Sequence, residues 1–141
     1  MGSETLPKQF IFNEKLDKDA LFSLYTDDIV YIEEIFDTIL RHFDADFNSV
    51  ELSYQNGNIE DLRKAIHKIK PTFGYTGLLS TQSKCKNFED QCAAAGSVAD
   101  LTEAFTLIKN ELLEARDIIT NEHSRLKAFN ANPLWASIVL L

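Results

Sequence analysis

Apolar residues recur every three or four positions along most of this 141-residue chain, and this spacing constrains its fold more than any other feature. Such a period places apolar side chains along one face of an α-helix. No stretch alternates apolar and polar residues in the way that a half-buried strand does. The sequence therefore predicts an all-α protein, folded as an antiparallel four-helix bundle with a short extra N-terminal helix.

Capping residues and glycines mark the expected ends of these helices. Asp, Asn and Thr side chains accept hydrogen bonds from the first amides of a helix, and glycine readily adopts the left-handed conformation that ends one. The predicted helices are a short one from Asp17 to near Tyr25, a long one opened by Thr26, Asp27 and Asp28, a third from Ile59 to Gly77, a fourth up to Gly96, and a fifth reaching about Arg125.

The same signals divide the chain into three parts. Residues 1–15 are predicted to be an extended lead-in, residues 16–126 the helical bundle, and residues 127–141 a C-terminal extension. The extension contains Pro133 and Trp135, and its role is open between packing on the bundle, an interface strip and vector-derived residues.

Composition and charge exclude several classes of function. The net charge of −8 argues against nucleic acid as a partner, because phosphate backbones are bound by basic surfaces. The two cysteines and the lack of a basic and apolar leader favour a cytoplasmic protein. The longest apolar run, from Leu134 to Leu141, is far shorter than the ~20 residues of a membrane helix. We therefore expect no membrane association.

Basic residues are concentrated in one stretch of this acidic chain. Between Leu62 and Lys86 there are six Lys and Arg residues and no Asp or Glu, although the whole chain has 22 acidic residues. The stretch therefore predicts a positive face that binds a phosphate or an acidic partner surface.

His67 lies within this stretch, on the shoulder of the predicted third helix. The seam of that helix is Ile59, Leu62, Ile66, Ile69 and Phe73, so the imidazole would be supported on one side and accessible on the other. A neutral imidazole nitrogen is nucleophilic near pH 7. Lys70, one turn later, could offset the charge of a phosphoryl group, and Gly74 would leave room for a partner.

The run from Ala65 to Leu78 resembles the histidine-containing phosphotransfer (HPt) family. His67 matches the phosphoacceptor of that family, Lys70 its lysine, and Gly74, Gly77 and Leu78 the positions that follow. The resemblance extends over roughly residues 17–125 and implies an HPt-like bundle.

One position departs from the family pattern, because Pro71 follows the lysine where glycine is usual. Proline has no amide to donate to the carbonyl of His67 and crowds that carbonyl. A local break in the helix is therefore predicted, with the helix resuming because Phe73 keeps the apolar period.

The resemblance implies a phosphorelay intermediate without enzymatic activity of its own on small substrates. His67 would accept a phosphoryl group from the aspartyl phosphate of a response-regulator receiver domain and pass it to another, with Lys70 stabilising the phosphate. The protein would be a monomer without a cofactor, the Mg²⁺ belonging to the partner receiver, and a hybrid histidine kinase would be a further partner. The expected docking residues are Arg63, Lys64, Pro71, Gly74 and Lys84.

Two other functions are consistent with parts of this pattern. A pseudo-HPt adaptor would dock receiver domains without transfer, and Pro71 keeps this alternative open. A histidine-kinase dimerisation hairpin is disfavoured, because such hairpins usually have an acid directly after the histidine, whereas this chain has Lys68 and no ATP-binding domain after it. No metal site is expected, since Cys85 and Cys92 lie on an apolar seam and read as core thiols.

Overall fold

The computed structural model describes residues 9–131, and helices make up almost all of this part of the chain. No strand occurs in it, and none of its helices is long and apolar enough to cross a membrane. The helices are α1 (Lys18–Tyr25), α2 (Ile29–Gln55), α3 (Ile59–Ile69), α4 (Pro71–Tyr75), α5 (Leu79–Ala94) and α6 (Thr102–Asn130), with a 3₁₀ turn (Val98–Leu101) before α6. The all-α prediction is confirmed.

Three of the helices begin at the capping residues that the sequence predicts. Asp17, Asp28 and Asn58 each accept a hydrogen bond from the amide three residues later, which satisfies one of the unpaired amides at the helix start. The donors are the amides of Ala20, Tyr31 and Asp61, at 2.9, 3.0 and 3.0 Å. Local side-chain chemistry therefore determines where α1, α2 and α3 start.

The core lies between four helices, with α2 packed against α3 and α6, and α5 packed against the same two helices from the other side. Phe43 of α2 and Phe73 of α4 meet edge to face with their ring centroids 6.2 Å apart, and Tyr54 stacks on Phe105 at 3.8 Å. The seam residues Leu62, Ile66 and Ile69 of α3 are fully buried. Because this seam faces the core, the opposite shoulder of α3 faces solvent.

The predicted break at Pro71 is present. Helix α3 ends at Ile69 and α4 begins at Pro71, while the backbone of Lys70 between them remains helical at φ −52° and ψ −45°. The Phe73 amide donates to the Lys70 carbonyl at 3.2 Å, a bond across three residues instead of four. Phe73 is fully buried, so its contact with the core lets the helical path resume after the proline.

The last helix extends beyond its predicted end. A 3₁₀ turn precedes it, and it continues to Asn130 instead of ending near Arg125. The extra turn forms because the apolar period continues through Leu126, which is fully buried, and Phe129, whose ring lies 5.5 Å from that of Phe10.

The segment before α1 is attached to α6 by polar contacts. Glu122 of α6, which is buried, accepts a hydrogen bond from the Asn13 amide at 2.7 Å. Arg125 donates to the carbonyl of Ile11, also at 2.7 Å. The parts of the predicted lead-in and extension at residues 1–8 and 132–141 lie outside the described residues.

Substitution of Gly77 by alanine tests whether the loop after α4 requires the left-handed backbone conformation of this glycine. Gly77 has a φ of +76°, and an added Cβ would lie 3.1 Å from Leu21 Cγ and 3.2 Å from the backbone N and O of Asp17. Since L-residues are disfavoured in this conformation by about 1–2 kcal/mol, we expect Gly77→Ala to lower the free energy of unfolding by at least that amount. Urea denaturation followed by circular dichroism measures the change.

Gly96→Ala is the matched control, because a Cβ there would meet just one side-chain oxygen, Asp100 Oδ2, at 3.5 Å. Equal free energies of unfolding for the two variants would contradict this account of Gly77.

Candidate functional site

His67 projects from the solvent-facing shoulder of α3, as predicted. Its side chain is 66% exposed, although its neighbours Ile66 and Ala65 are buried in the core. Lys70 follows one turn later on the same side and is more enclosed, with a side chain that is 19% exposed. An exposed imidazole is thus set above a partly buried ammonium group.

Glu89 of α5 joins these two side chains. Its Oε1 lies 2.6 Å from Nδ1 of His67, and its Oε2 accepts a hydrogen bond from Nζ of Lys70 at 2.5 Å. The Glu89 side chain is 7% exposed, so the carboxylate forms the floor of the site. A buried carboxylate is tolerated when both oxygens are paired in this way.

The shared carboxylate determines which imidazole nitrogen faces outwards. An ionised carboxylate can act as an acceptor and cannot donate, so Nδ1 of His67 carries the proton in this contact. In the neutral ring Nε2 is then the nitrogen with a lone pair, and it lies on the exposed side. The arrangement prepares Nε2 as a nucleophile, in the way that a carboxylate orients a catalytic histidine.

The charged partners of Glu89 also determine its protonation. Burial opposes ionisation of this carboxyl, but the hydrogen bonds from Lys70 and His67 together outweigh burial and hold the pKa of Glu89 below its usual value. Glu89 is therefore a carboxylate at neutral pH.

Sequence reasoning missed Glu89. It lies just after the acid-free stretch, next to Phe88 on the predicted fourth helix, at the edge of an apolar face. The signal that could have identified it is an acid four residues after the core residue Cys85, a position that falls close to the buried seam.

The prediction of an acid-free positive face is wrong, because acidic residues from outside the stretch lie next to its cations in the folded structure. Neighbouring turns and helices supply the acids that the stretch itself lacks. The pairs are Arg63 with Glu60 at 2.5 Å, Lys68 with Asp46 at 3.4 Å, Lys84 with Glu111 at 2.9 Å and Lys86 with Asp90 at 3.0 Å. Of the predicted docking cations, Lys64 has no ion pair within residues 9–131.

The predicted docking residues do not all lie together. Arg63 and Lys64 are on α3 near His67, and Pro71 is exposed at the start of α4. Lys84 instead lies on the side of α5 that faces α6, where it pairs with Glu111. The structure therefore does not bring Lys84 to His67.

The expectation that Gly74 leaves open space is also wrong. A Cβ built on Gly74 would lie 2.6 Å from Nε2 of Gln82, so the Gln82 side chain of α5 already covers this glycine. Both residues belong to a shallow groove between α1, α4 and the start of α5. The groove is lined by Ala20, Ser23, Leu24, Pro71, Gly74, Tyr75, Leu79 and Gln82.

The two cysteines and the other two histidines are not part of this site. Cys85 and Cys92 are buried, and burial raises the pKa of Cys85 to about 12 and that of Cys92 to about 11, so both thiols are protonated at neutral pH. His42 is exposed on α2, and Nε2 of His123 lies 3.6 Å from Asp37. Both histidines lie outside the contacts that join His67, Lys70 and Glu89.

Two comparisons match this chain to HPt domains. A family model described as "Hpt domain" matches residues 34–118, a range that contains His67, Lys70 and Glu89. The crystal structure of the HPt domain from the Hpt sensor hybrid histidine kinase of Shewanella is similar to this chain, with a TM-score of 0.67 and 17% sequence identity. The similarity covers 79% of this chain and 95% of that chain, and it shows a shared fold. No match was found among curated proteins.

Replacing Glu89 by glutamine tests the shared carboxylate through the pH dependence of stability. A lowered pKa in the folded state stabilises the protein above the unfolded pKa near 4.5, and this contribution is lost as the pH falls through the folded value. At neutral pH we expect Glu89→Gln to lower the free energy of unfolding by about 1.5–3 kcal/mol, the range for hydrogen bonds to charged groups. The difference should shrink below pH 4.5.

Urea denaturation at a series of pH values measures this difference. Asp90→Asn is the matched control, because it removes an exposed carboxylate from the adjacent position of α5. If the difference in the free energy of unfolding between wild type and Glu89→Gln grows as the pH falls, the lowered pKa assigned to Glu89 is contradicted.

Proposed function

The chain belongs to the Hpt domain family, whose members are phosphotransfer domains of two-component signalling, and we propose that it is a phosphorelay intermediate. It accepts a phosphoryl group on His67 from the aspartyl phosphate of a response-regulator receiver domain and passes it to another receiver. The observation that carries the proposal is the exposed His67 ring, whose Nδ1 is held 2.6 Å from a buried carboxylate. Members of this family carry a phosphoryl group and are not conventional enzymes.

The transfer step uses the lone pair of Nε2. This nitrogen attacks phosphorus in line, a nitrogen–phosphorus bond forms, and the bond from phosphorus to the aspartyl oxygen breaks, so that aspartate leaves as a carboxylate. The proton on Nδ1 stays in place and continues to be donated to Glu89. The ring becomes cationic when Nε2 is phosphorylated, and the Glu89 carboxylate stabilises that charge. Transfer onward is the reverse of this step with a second receiver.

Lys70 provides positive charge next to the new phosphoryl group. Its Nζ is anchored by Glu89 at 2.5 Å, one turn along α3 from His67, which restricts the ammonium to the side of the helix where the phosphate arrives. Charge-assisted hydrogen bonds from lysine to phosphate are stronger than neutral ones. The chain has no cofactor of its own in this proposal, and the Mg²⁺ and acidic pocket belong to the receiver.

The partner docks on the groove beside His67. Pro71 and Gly74 line this groove and follow His67 by four and seven residues, which places the groove on the His67 side of the helical path. Its lining includes exposed apolar surface, with Leu24 53% and Tyr75 52% exposed. Arg63 and Lys64 lie on the other side of the histidine along α3. We assign this face to receiver domains, including one attached to a hybrid histidine kinase, and we expect the chain to act as a monomer.

His67→Gln tests the phosphoacceptor. A purified receiver domain is labelled on its aspartate with radioactive acetyl phosphate and mixed with this chain. We expect wild type to gain a label that is acid-labile and alkali-stable, as a phosphohistidine is, and His67→Gln to gain none. His42→Gln, which changes an exposed histidine of α2, is the control and should be labelled as wild type is. If wild type binds the receiver but is never labelled, the chain is a pseudo-HPt adaptor.

Lys70→Ala tests the stabilising cation. Loss of one preorganised donor to developing charge commonly slows catalysis by about a hundredfold, and we expect a decrease of this order in the rate of transfer at saturating receiver. Rapid-quench measurement of the labelled chain gives the rate, and circular dichroism checks that the fold is retained. Lys68→Ala removes a lysine two positions away that pairs with Asp46 and should transfer at the wild-type rate. Equal rates for the two variants would refute the role of Lys70.

A further inference from the structure

Gln82 of α5 lies in the docking groove, although it is not part of the run from Ala65 to Leu78 that resembles the HPt family. We propose that Gln82 determines which receivers bind, by pairing its side-chain amide with the main-chain N–H and C=O of one extended residue of the partner. This inference rests on the proposed function, because it assigns the groove to a receiver domain. It concerns recognition of the partner and is separate from the chemistry at His67.

The end of the Gln82 side chain lies directly on Gly74. Its Nε2, Cδ and Oε1 atoms are 2.6, 3.3 and 3.4 Å from the position that a Cβ of residue 74 would take. All three terminal atoms therefore approach the helix surface where a side chain is missing. This contact gives a reason for glycine at position 74 that does not involve a partner, because any larger residue would displace the Gln82 amide.

The amide of Gln82 is available to a partner. It makes no hydrogen bond to another residue in the part of the chain that the structure describes, and the side chain is half-buried at the groove surface. Ser23 and Tyr75 contribute the other polar groups of the groove lining, and the remaining lining residues are apolar side chains, glycine and proline. A docked partner that covers the groove would bury a donor and an acceptor that need a match.

The position of Gln82 relative to His67 indicates that the group that pairs with its amide belongs to the receiver. Gly74 follows His67 by seven residues, which is two turns on the same face of the helical path and about 10 Å along its axis. A receiver that brings its aspartyl phosphate to Nε2 therefore extends over Gly74 and Gln82. The amide is too far along the helix to contact the phosphoryl group itself.

The main-chain N–H and C=O of one extended residue are the chemical match for this amide. A glutamine side chain offers an N–H donor and a carbonyl acceptor side by side, and an extended residue presents its own N–H and C=O on one side of the chain, as a complementary pair. A partner with an apolar or a charged group at this point would leave part of the amide unpaired, which costs binding free energy. Receivers would thus be distinguished by the course of their backbone over the groove.

The first test measures transfer as a function of receiver concentration, with a purified receiver domain that binds wild type. We expect Gln82→Ala to raise the half-saturating receiver concentration about five- to tenfold, as loss of one matched hydrogen bond does, and to leave the saturating rate unchanged. Gln91→Ala, a glutamine on the opposite side of α5 that lines the groove next to α6, is the matched control and should change neither value. A lower saturating rate with an unchanged half-saturating concentration would overturn the proposal.

The second test is a double-mutant cycle between Gly74 and Gln82. An added Cβ meets the flexible end of Gln82, so Gly74→Ala should fold and should raise the half-saturating concentration by displacing the amide. In the Gln82→Ala background the same change should have no further effect. A full additional effect in that background would show that the partner itself needs the glycine, and would refute the role of Gln82.

Direct binding separates failure of this inference from failure of the proposed function. Titration calorimetry with the unphosphorylated receiver measures Kd without any transfer step. If wild type is never labelled but Gln82→Ala still weakens binding, the recognition role stands and phosphotransfer fails. If labelling is normal and Kd is unchanged in Gln82→Ala, phosphotransfer stands and the recognition role fails.

Discussion

The carboxylate of Glu89 is the interaction on which the candidate site depends, because it holds both the imidazole of His67 and the ammonium of Lys70. A carboxylate buried to this degree would be costly without partners, and two polar contacts offset that cost. The contact joins α3 to α5, so it forms once the apolar seams of the two helices have set their separation. The orientation of the nucleophile is thus a consequence of core packing.

Pro71 interrupts the helix next to this site without disturbing it. His67 and Lys70 both precede the proline, and the helical backbone of Lys70 keeps their side chains on one face. After the proline, burial of Phe73 returns the chain to the core, and the Tyr25 hydroxyl donates to the carbonyl of Tyr75 at 2.8 Å. The proline therefore separates the turn that holds His67 and Lys70 from a short helix that packs against α5 and is hydrogen-bonded to α1.

The sequence predicts those features that depend on neighbouring residues. Asp17, Asp28 and Asn58 act as caps through atoms three residues away, and the seam of α3 follows from a period that one helix contains. Placing His67 on an exposed shoulder needs the same local information. The role of Glu89 could not be predicted in this way, because its contact with His67 spans 22 residues and depends on the rotation of α5 against α3.

The same limit explains why the predictions for the cationic stretch and for Gly74 are wrong. A window of sequence shows which charges are adjacent in the chain, whereas Asp46 reaches Lys68 from α2 and Glu111 reaches Lys84 from α6. Exposed ion pairs of this kind contribute little to folding stability, yet each one reduces the positive electrostatic potential that an approaching partner meets. The proposed partner carries a phosphorylated aspartate, and a chain with a net charge of −8 does not position such a partner by long-range attraction. Contacts at short range must do so, and the apolar groove beside His67, with Gln82 lying on Gly74, is where the surface provides them.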